Sequence, residues 1–167
     1  MMQTNVYVTM EWMPLGQCRD YLNRYPVKDD LNFSVGIPLA VNVILFKSRD
    51  TGTDPYPLPE GVVEWHFAVD KDFDRTTPPV IVVGDEDITV TQTETETRIR
   101  IECKDTGCTA LLEELAERGI TDWRMMSGYI GEIYGLDEDG NCEFVLQIED
   151  IVIHNLLMLG DPPTQSE

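Results

Sequence analysis

The sequence predicts a mostly-β fold, an antiparallel β-sandwich of about seven to nine strands with one α-helix at about residues 107–118. Three observations predict it: apolar and polar residues alternate in several segments, turn-forming residues separate those segments, and a single segment has helical spacing. An apolar content of 42% in 167 residues suffices for one packed domain. The strand pattern resembles that of immunoglobulin-like or jelly-roll sandwiches.

The first strongly alternating segment runs from Val35 to Leu45, where every odd position is apolar. Pro38 cannot donate a backbone hydrogen bond, so we expect an edge strand or two strands joined by a bend. A long apolar edge requires cover, which predicts contact with another subunit at this strand. The predicted interface residues are Val35, Ile37, Leu39 and Val41.

The second strand leads directly into an acidic loop that extends to Asp74. Its apolar residues lie at a period of two, which predicts one face pointing into the core. These residues are Val63, Trp65, Phe67 and Val69. A long connection, residues 47–61, precedes this strand and is stiffened by prolines.

Two β-hairpins are predicted in the second half of the chain. Residues 88–91 and 99–103 alternate on either side of a polar turn, and residues 129–136 and 142–148 flank an Asp-Gly turn. After Ile148 the apolar positions change from even to odd numbers, which predicts a bulge or a bend at Glu149 and Asp150.

The predicted helix has apolar residues at the spacing of one helical face, at Cys108, Leu111, Leu112, Leu115 and Ala116. Thr106 or Thr109 is expected to cap its start, and Gly119 to end it. A lone apolar stripe must be buried, so we expect the helix to cover an open end or edge of the sandwich.

The predicted organisation has three parts. Residues 1–33 have weak periodicity, apart from a short strand expected at 5–10, and form an N-terminal arm that packs on the domain or reaches a neighbour. Residues 34–157 form the sandwich, and residues 158–167 form a disordered acidic tail.

The charge is the most unusual property of the composition. Twelve basic and 31 acidic residues give 12 − 31 = −19. Such a surface repels nucleic acid and anionic membranes, which excludes both as partners. Three explanations of the acidic charge stay open: it attracts a basic partner, it binds a cation, or it only keeps the protein soluble. No apolar run is long enough to span a bilayer, and residues 1–10 lack the basic and apolar regions that are typical of a signal peptide. We expect cytoplasmic synthesis, with a place in a virion or another assembled particle left open.

The four cysteines are dispersed and do not have zinc-site spacing. Cys103 and Cys142 fall on the apolar faces of their strands, which favours buried free thiols.

Two acidic loops supply the hard oxygen ligands that Ca²⁺ prefers. The first contains Asp70, Asp72 and Asp74, and the second contains Asp137, Asp139 and Asn141. Neither has the glycine and glutamate positions of an EF-hand, so ordinary turn chemistry is the alternative for both.

Nothing in the sequence selects a catalytic site. The chain has two histidines, His66 on the outward face of its strand and His154 near the end of another, and it contains no nucleophile elbow, metalloprotease motif, phosphate-binding glycine loop or dinucleotide fingerprint. We therefore expect a protein that is not an enzyme.

Several short runs resemble modules of phage tail and baseplate proteins, over about residues 34–157. The runs are residues 65–74, Thr76-Thr77-Pro78-Pro79, Gly131-Glu132-Ile133-Tyr134-Gly135, Phe144-Val145-Leu146-Gln147 and Asn155. The resemblance implies a short β-sandwich that assembles into an oligomeric appendage or receptor-binding device. It carries over no catalytic or binding residue.

The leading hypothesis is a non-enzymatic structural or interaction module, a phage or prophage particle component that binds copies of itself and other particle proteins. Two alternatives stay open. One is a glycan-binding module, calcium-dependent or not, with Tyr56 and Trp123 as its exposed aromatic residues. The other is an acidic inhibitor that imitates the phosphate charge of DNA and binds in the groove of a nucleic-acid-binding protein.

Overall fold

The structure, a computed structural model, describes residues 1–9, 31–47, 54–71 and 78–155. These residues form nine strands, one α-helix and a short 3-10 turn at Asp85–Asp87. The elements are β1 (Met2–Thr9), β2 (Asn32–Ser34), β3 (Leu39–Phe46), β4 (Glu64–Lys71), β5 (Ile81–Val83), β6 (Ile88–Gln92), β7 (Thr97–Cys103), α1 (Thr109–Glu117), β8 (Met125–Leu136) and β9 (Cys142–His154). The predicted mostly-β class with one α-helix is confirmed.

The strands form two mixed sheets, with the orders β1-β3-β7-β6 and β2-β9-β8-β4-β5. Two pairs are parallel, β1 with β3 and β2 with β9, and the others are antiparallel. The prediction of a purely antiparallel arrangement is therefore wrong. The physical reason is the route of the chain from β1 to β3. The chain passes through the other sheet, where it forms β2, and such a crossover lets β3 run parallel to β1.

Strand β3 is an interior strand, so of the two alternatives predicted for Val35–Leu45 the edge strand is wrong, and a turn before Leu39 separates β2 from β3. It begins at Leu39, just after Pro38, so the proline is not required to donate to the ladder. Before it, Gly36 has a φ of 82° and the N–H of Ile37 donates to the carbonyl of Ser34 at 3.0 Å, which makes a turn.

The predicted interface residues mostly lie inside the chain's own core. Val35, Leu39 and Val41 are buried, and Ile37 in the turn is 37% exposed. Seven of the eight residues of β3 are buried, because β1 and β7 flank it on both sides. These residues therefore do not form an exposed apolar edge.

Residues 1–33, predicted as an arm, contribute strands to both sheets. Strand β1 pairs with β3 along its whole length, and β2 pairs with the end of β9. Leu31 and Phe33 are fully buried. Residues 10–30 lie outside the described residues, as does the predicted acidic tail at 158–167.

Both sheets bury side chains in one shared hydrophobic cluster. Val43 and Ile99 come from the first sheet, and Phe67 and Ile133 come from the second. Trp65 meets the ring of Phe144 edge-on, with 5.5 Å between centroids. The predicted inward positions of Trp65, Phe67 and Val69 are confirmed. Val63 is 54% exposed because it precedes the first residue of β4.

Helix α1 lies within the predicted range and buries Leu111 and Leu115. Its N-cap is Cys108 in the left-handed conformation, without a side-chain capping bond, so the predicted threonine cap is wrong. Gly119, with a φ of 74°, follows the last turn and donates its N–H to Ala116, as predicted.

The predicted hairpins β6–β7 and β8–β9 are confirmed, and so is the bulge. Tyr129 pairs with Ile151, whereas Gly131 pairs with Ile148. One residue of β8 therefore faces two residues of β9, Glu149 and Asp150. Asp150 has a φ of 59°, which accommodates the extra residue.

We predict that Gly131→Ala destabilises the fold. A Cβ at this position would lie 2.8 Å from Ile151 Cδ1 and 3.0 Å from Phe67 Cε1, two side chains with no room to retreat in the core. Overpacking of this kind costs about 1–3 kcal/mol of the free energy of unfolding, measurable by urea denaturation. Ser127→Ala, an exposed position on the same strand, is the control. A free energy for Gly131→Ala equal to that of the control would contradict the close packing.

Candidate functional site

Of the three aspartates in the first predicted calcium loop, Asp70 belongs to the described residues, and Asp72 and Asp74 lie outside them. Asp70 is half-buried near the end of β4, and its carboxylate accepts the N–H of Lys71 at 2.8 Å. Across the four described ranges, no group of three or more His, Cys, Asp or Glu side chains converges as metal ligands do.

In the second predicted calcium loop, Asp137 holds the turn together. Its Oδ1 accepts the backbone N–H groups of Asp139 at 2.9 Å and Asn141 at 2.8 Å, and its Oδ2 accepts the side-chain amide of Asn141 at 3.3 Å. The backbone bond from Asn141 is the main reason that the pKa of Asp137 is lowered. The arrangement is the Asx turn that closes the β8–β9 hairpin.

The two aromatic residues predicted as an exposed glycan platform are held by different sheets. Tyr56 is half-buried beside the first sheet, where its carbonyl accepts the hydroxyl of Thr97 at 2.7 Å. Trp123 is 7% exposed, and its carbonyl accepts the side-chain amide of Asn155, just beyond β9, at 3.1 Å. The prediction that Trp123 is exposed is therefore wrong, because the chain is tied down there before β8 begins.

The histidines and cysteines have structural surroundings. His66, half-buried on β4, pairs with Glu64 and stacks on Tyr134 with 5.0 Å between ring centroids. His154 Nε2 lies 2.9 Å from Asn32 Oδ1. Cys103 and Cys108 are buried free thiols, Cys142 is a half-buried free thiol, and Cys18 lies outside the described residues. Burial raises the pKa of Cys103 to about 12, so this thiol stays protonated and unreactive at neutral pH.

Among the described residues, the outer edge of β1 is a candidate interaction surface. This strand pairs with β3 in continuous register from Met2 with Leu39 to Thr9 with Phe46. No other strand among the described residues pairs with its opposite edge. Its sequence, Met-Gln-Thr-Asn-Val-Tyr-Val-Thr, contains no charged residue, no glycine and no proline. An edge strand with none of these features lacks the usual protection against pairing with another chain.

A polar cluster fixes β1 against the rest of the sheet. Asn42 on β3 is 1% exposed, and its side-chain amide donates to Gln3 Oε1 and Asn5 Oδ1, both at 3.2 Å. Arg100 on β7 donates to Gln3 Oε1 at 2.8 Å and to Asn42 Oδ1 at 3.3 Å. Buried amides with several partners define one register, so the edge is held rigidly.

The outer face beside β1 also contains two of the chain's few basic residues. Arg98 donates to Glu96 at 2.7 Å, and this hydrogen bond raises the pKa of the arginine. Arg100 forms an ion pair with Glu102 at 3.3 Å. In a chain with a net charge of −19, these arginines make the surroundings of β1 less negative than the average surface.

The other strands at the ends of the described sheets are shorter. Strands β2 and β5 have three residues each, and β6 has five. Short edge strands resist addition of a further strand. With eight residues, β1 is therefore the longest of the four end strands in the described sheets. The sequence predicted interface residues at Val35–Val41 and also an N-terminal arm, containing β1, that packs on the domain or reaches a neighbour. The absence of charge in residues 2–9 is the signal that selects this edge.

Comparison with known proteins adds no family to this description: no protein-family model matches the chain, and no curated protein matches it. Within the described ranges, helices with the length and apolar character to cross a bilayer are absent.

We predict that Asp137→Ala lowers the melting temperature at neutral pH, because three hydrogen bonds of the Asx turn are lost. The pKa of Asp137 is lowered in the fold, so its contribution is complete above the ordinary carboxyl pKa and disappears as the pH falls through the lowered value. The difference in melting temperature between the wild type and Asp137→Ala should therefore shrink below about pH 4. Asp139→Ala, an exposed carboxylate of the same turn, is the control. A difference that is constant from neutral to acidic pH would contradict this role.

Proposed function

We propose that this protein is a non-enzymatic structural or interaction module that self-associates through the outer edge of β1. The observation that carries the proposal is the eight-residue uncharged edge strand, held in one register and open on its outer side among the described residues.

The driving force is the row of backbone N–H and C=O groups along this edge. Such groups pair readily with a strand of another chain, and identical chains do so most simply about a twofold axis. Two β1 strands that meet antiparallel would join two four-stranded sheets into one sheet of eight strands. The backbone hydrogen bonds would supply affinity, and the side chains of Gln3, Asn5 and Tyr7 would supply specificity through their fit to the partner copy.

Electrostatics favours this edge over other surfaces for contact between copies. Two copies with a charge of −19 repel each other, so contact is least costly where charged groups are absent. Strand β1 has no acidic residue, and Arg98 and Arg100 lie beside it. The high negative charge then limits association to this edge, because it keeps the other surfaces of two copies apart.

The setting of this assembly is an extension of the proposal. The resemblance to phage tail and baseplate modules supports a particle component in which the two sheets are the layers of a β-sandwich. Paired copies would form the repeating unit, and other particle proteins would bind the remaining surfaces.

The test places charge on the edge. We predict that wild-type protein forms dimers or larger assemblies in multi-angle light scattering over a range of concentrations. Met2→Glu with Tyr7→Glu should raise the dissociation constant about tenfold or more, because both copies then carry added negative charge at the paired edge. Both positions are exposed, at 65% and 41%, so the fold should tolerate the change.

The matched control is Val82→Glu with Met125→Glu, which adds the same charge at two exposed apolar positions of the second sheet, 63% and 58% exposed. This variant should associate as the wild type does. Hydrogen–deuterium exchange should show that amide protection of residues 2–9 rises with protein concentration. A monomer at every concentration, or equal loss of association in both variants, would overturn the proposal.

A further inference from the structure

A groove of about 600 Å³ lies on the second sheet, between α1 and the neighbouring ends of β4 and β8. Its walls come from four stretches of sequence that the fold brings together. The lining residues are Asp70, Lys71, Pro78, Val80, Ala110, Leu111, Glu113, Glu114, Glu117 and Tyr129.

The groove is strongly acidic. Four carboxylates line it against the single ammonium group of Lys71. Glu114 forms a long ion pair with Arg118, at 3.7 Å, one turn further along the helix. Glu113 and Glu117 are exposed and form no ion pair within the described part of the chain. These two carboxylates are therefore available to a positively charged ligand.

Tyr129 is the second feature of the groove, and it is independent of the carboxylates. The residue is only 4% exposed, and no hydrogen bond joins its hydroxyl group to a described residue. The hydroxyl is not among the fully enclosed polar atoms without a partner, so it is the part of the side chain that solvent reaches. Tyr129 lines the groove, so a bound ligand can take the place of water at this hydroxyl.

The phenol is held in its neutral form. Burial, followed by the negative charge of Glu114 and that of Asp70, raises the pKa of Tyr129 to about 12. A neutral phenol oxygen keeps lone pairs that accept a hydrogen bond.

The chemistry of the walls selects the kind of cation. No three acidic, histidine or cysteine side chains of the described residues converge on one point, so the carboxylates are too dispersed to form the ligand shell of a metal ion. The same lining includes the apolar side chains of Val80, Ala110 and Leu111. Dispersed carboxylates beside apolar surface match a cation with a methylene stem, because the stem packs while the charged end is paired.

We propose that this groove binds an aliphatic ammonium group, which donates a hydrogen bond to the hydroxyl of Tyr129 while its methylenes lie on Leu111 and Val80. Glu113 and Glu117 balance its charge. A lysine side chain of a partner protein and a free polyamine share this chemistry. The groove lies on the second sheet and β1 on the first, so the site does not depend on self-association through β1.

The experiment titrates the full chain by calorimetry with two probes, spermidine and a short glycine–serine peptide containing lysines. The same peptide with glutamine in place of lysine is the ligand control. We predict binding of at least one of the two amines and none of the glutamine peptide. Spermidine binding alone would assign the site to free amines, and binding of the lysine peptide would assign it to a protein partner.

Variants separate the groove from general attraction to an acidic protein. Tyr129→Phe should weaken binding about tenfold, the loss expected for one hydrogen bond to a charged group. Glu113→Gln with Glu117→Gln should weaken it by a similar factor or more. Glu94→Gln with Glu138→Gln removes the same charge from exposed turns elsewhere and should change affinity less than about twofold.

A spectroscopic readout tests the contact with the phenol directly. An ammonium group that donates to the phenol oxygen changes the electron distribution of the ring, so saturating spermidine or peptide should shift the NMR signals of the Tyr129 ring at neutral pH, where the amine is charged. Three results would each overturn the proposal: no binding of either amine, equal weakening by the two double variants, or an unchanged Tyr129 signal at saturation.

Discussion

The buried amide of Asn42 is the interaction on which the first sheet depends. It lies in the centre of β3 at 1% exposure, and it contacts β1 through Gln3 and Asn5 and β7 through Arg100. A buried amide without partners would cost about 1–3 kcal/mol, so strand positions that break these bonds are disfavoured. The same cluster keeps Val6 and Val8 pointing into the core, since a slip of one residue would turn them outward. The position of the outer edge of β1 follows from this register.

Much of the fold could be predicted from local patterns. Alternation located the strands of both hairpins, helical spacing located α1, and the change from even to odd apolar positions located the bulge at Glu149 and Asp150. Each of these features is determined by residues close together in sequence. The parallel pairs could not be predicted in this way, because they depend on which sheet receives β2, a choice made by packing between distant segments.

The interior position of β3 has a signal in the sequence besides its apolar odd positions. The even positions of this strand are also apolar at Ala40, Ile44 and Phe46. A strand that is apolar on both faces is typical of the interior of a sheet, where an edge strand would show alternation. The acidic groove had no such signal, since Asp70, Leu111 and Tyr129 approach one another only when α1 packs on the ends of β4 and β8.

The parallel pairing of β1 with β3 has a mechanical consequence. The ladder contains eight successive residue pairs, and its two strands run in the same direction. A force that pulls β1 along its own axis loads these rungs in shear, so they resist together and do not open one after another. A copy attached to its neighbour through β1 would therefore transmit tension into the centre of the first sheet, where β3 is bonded on both sides.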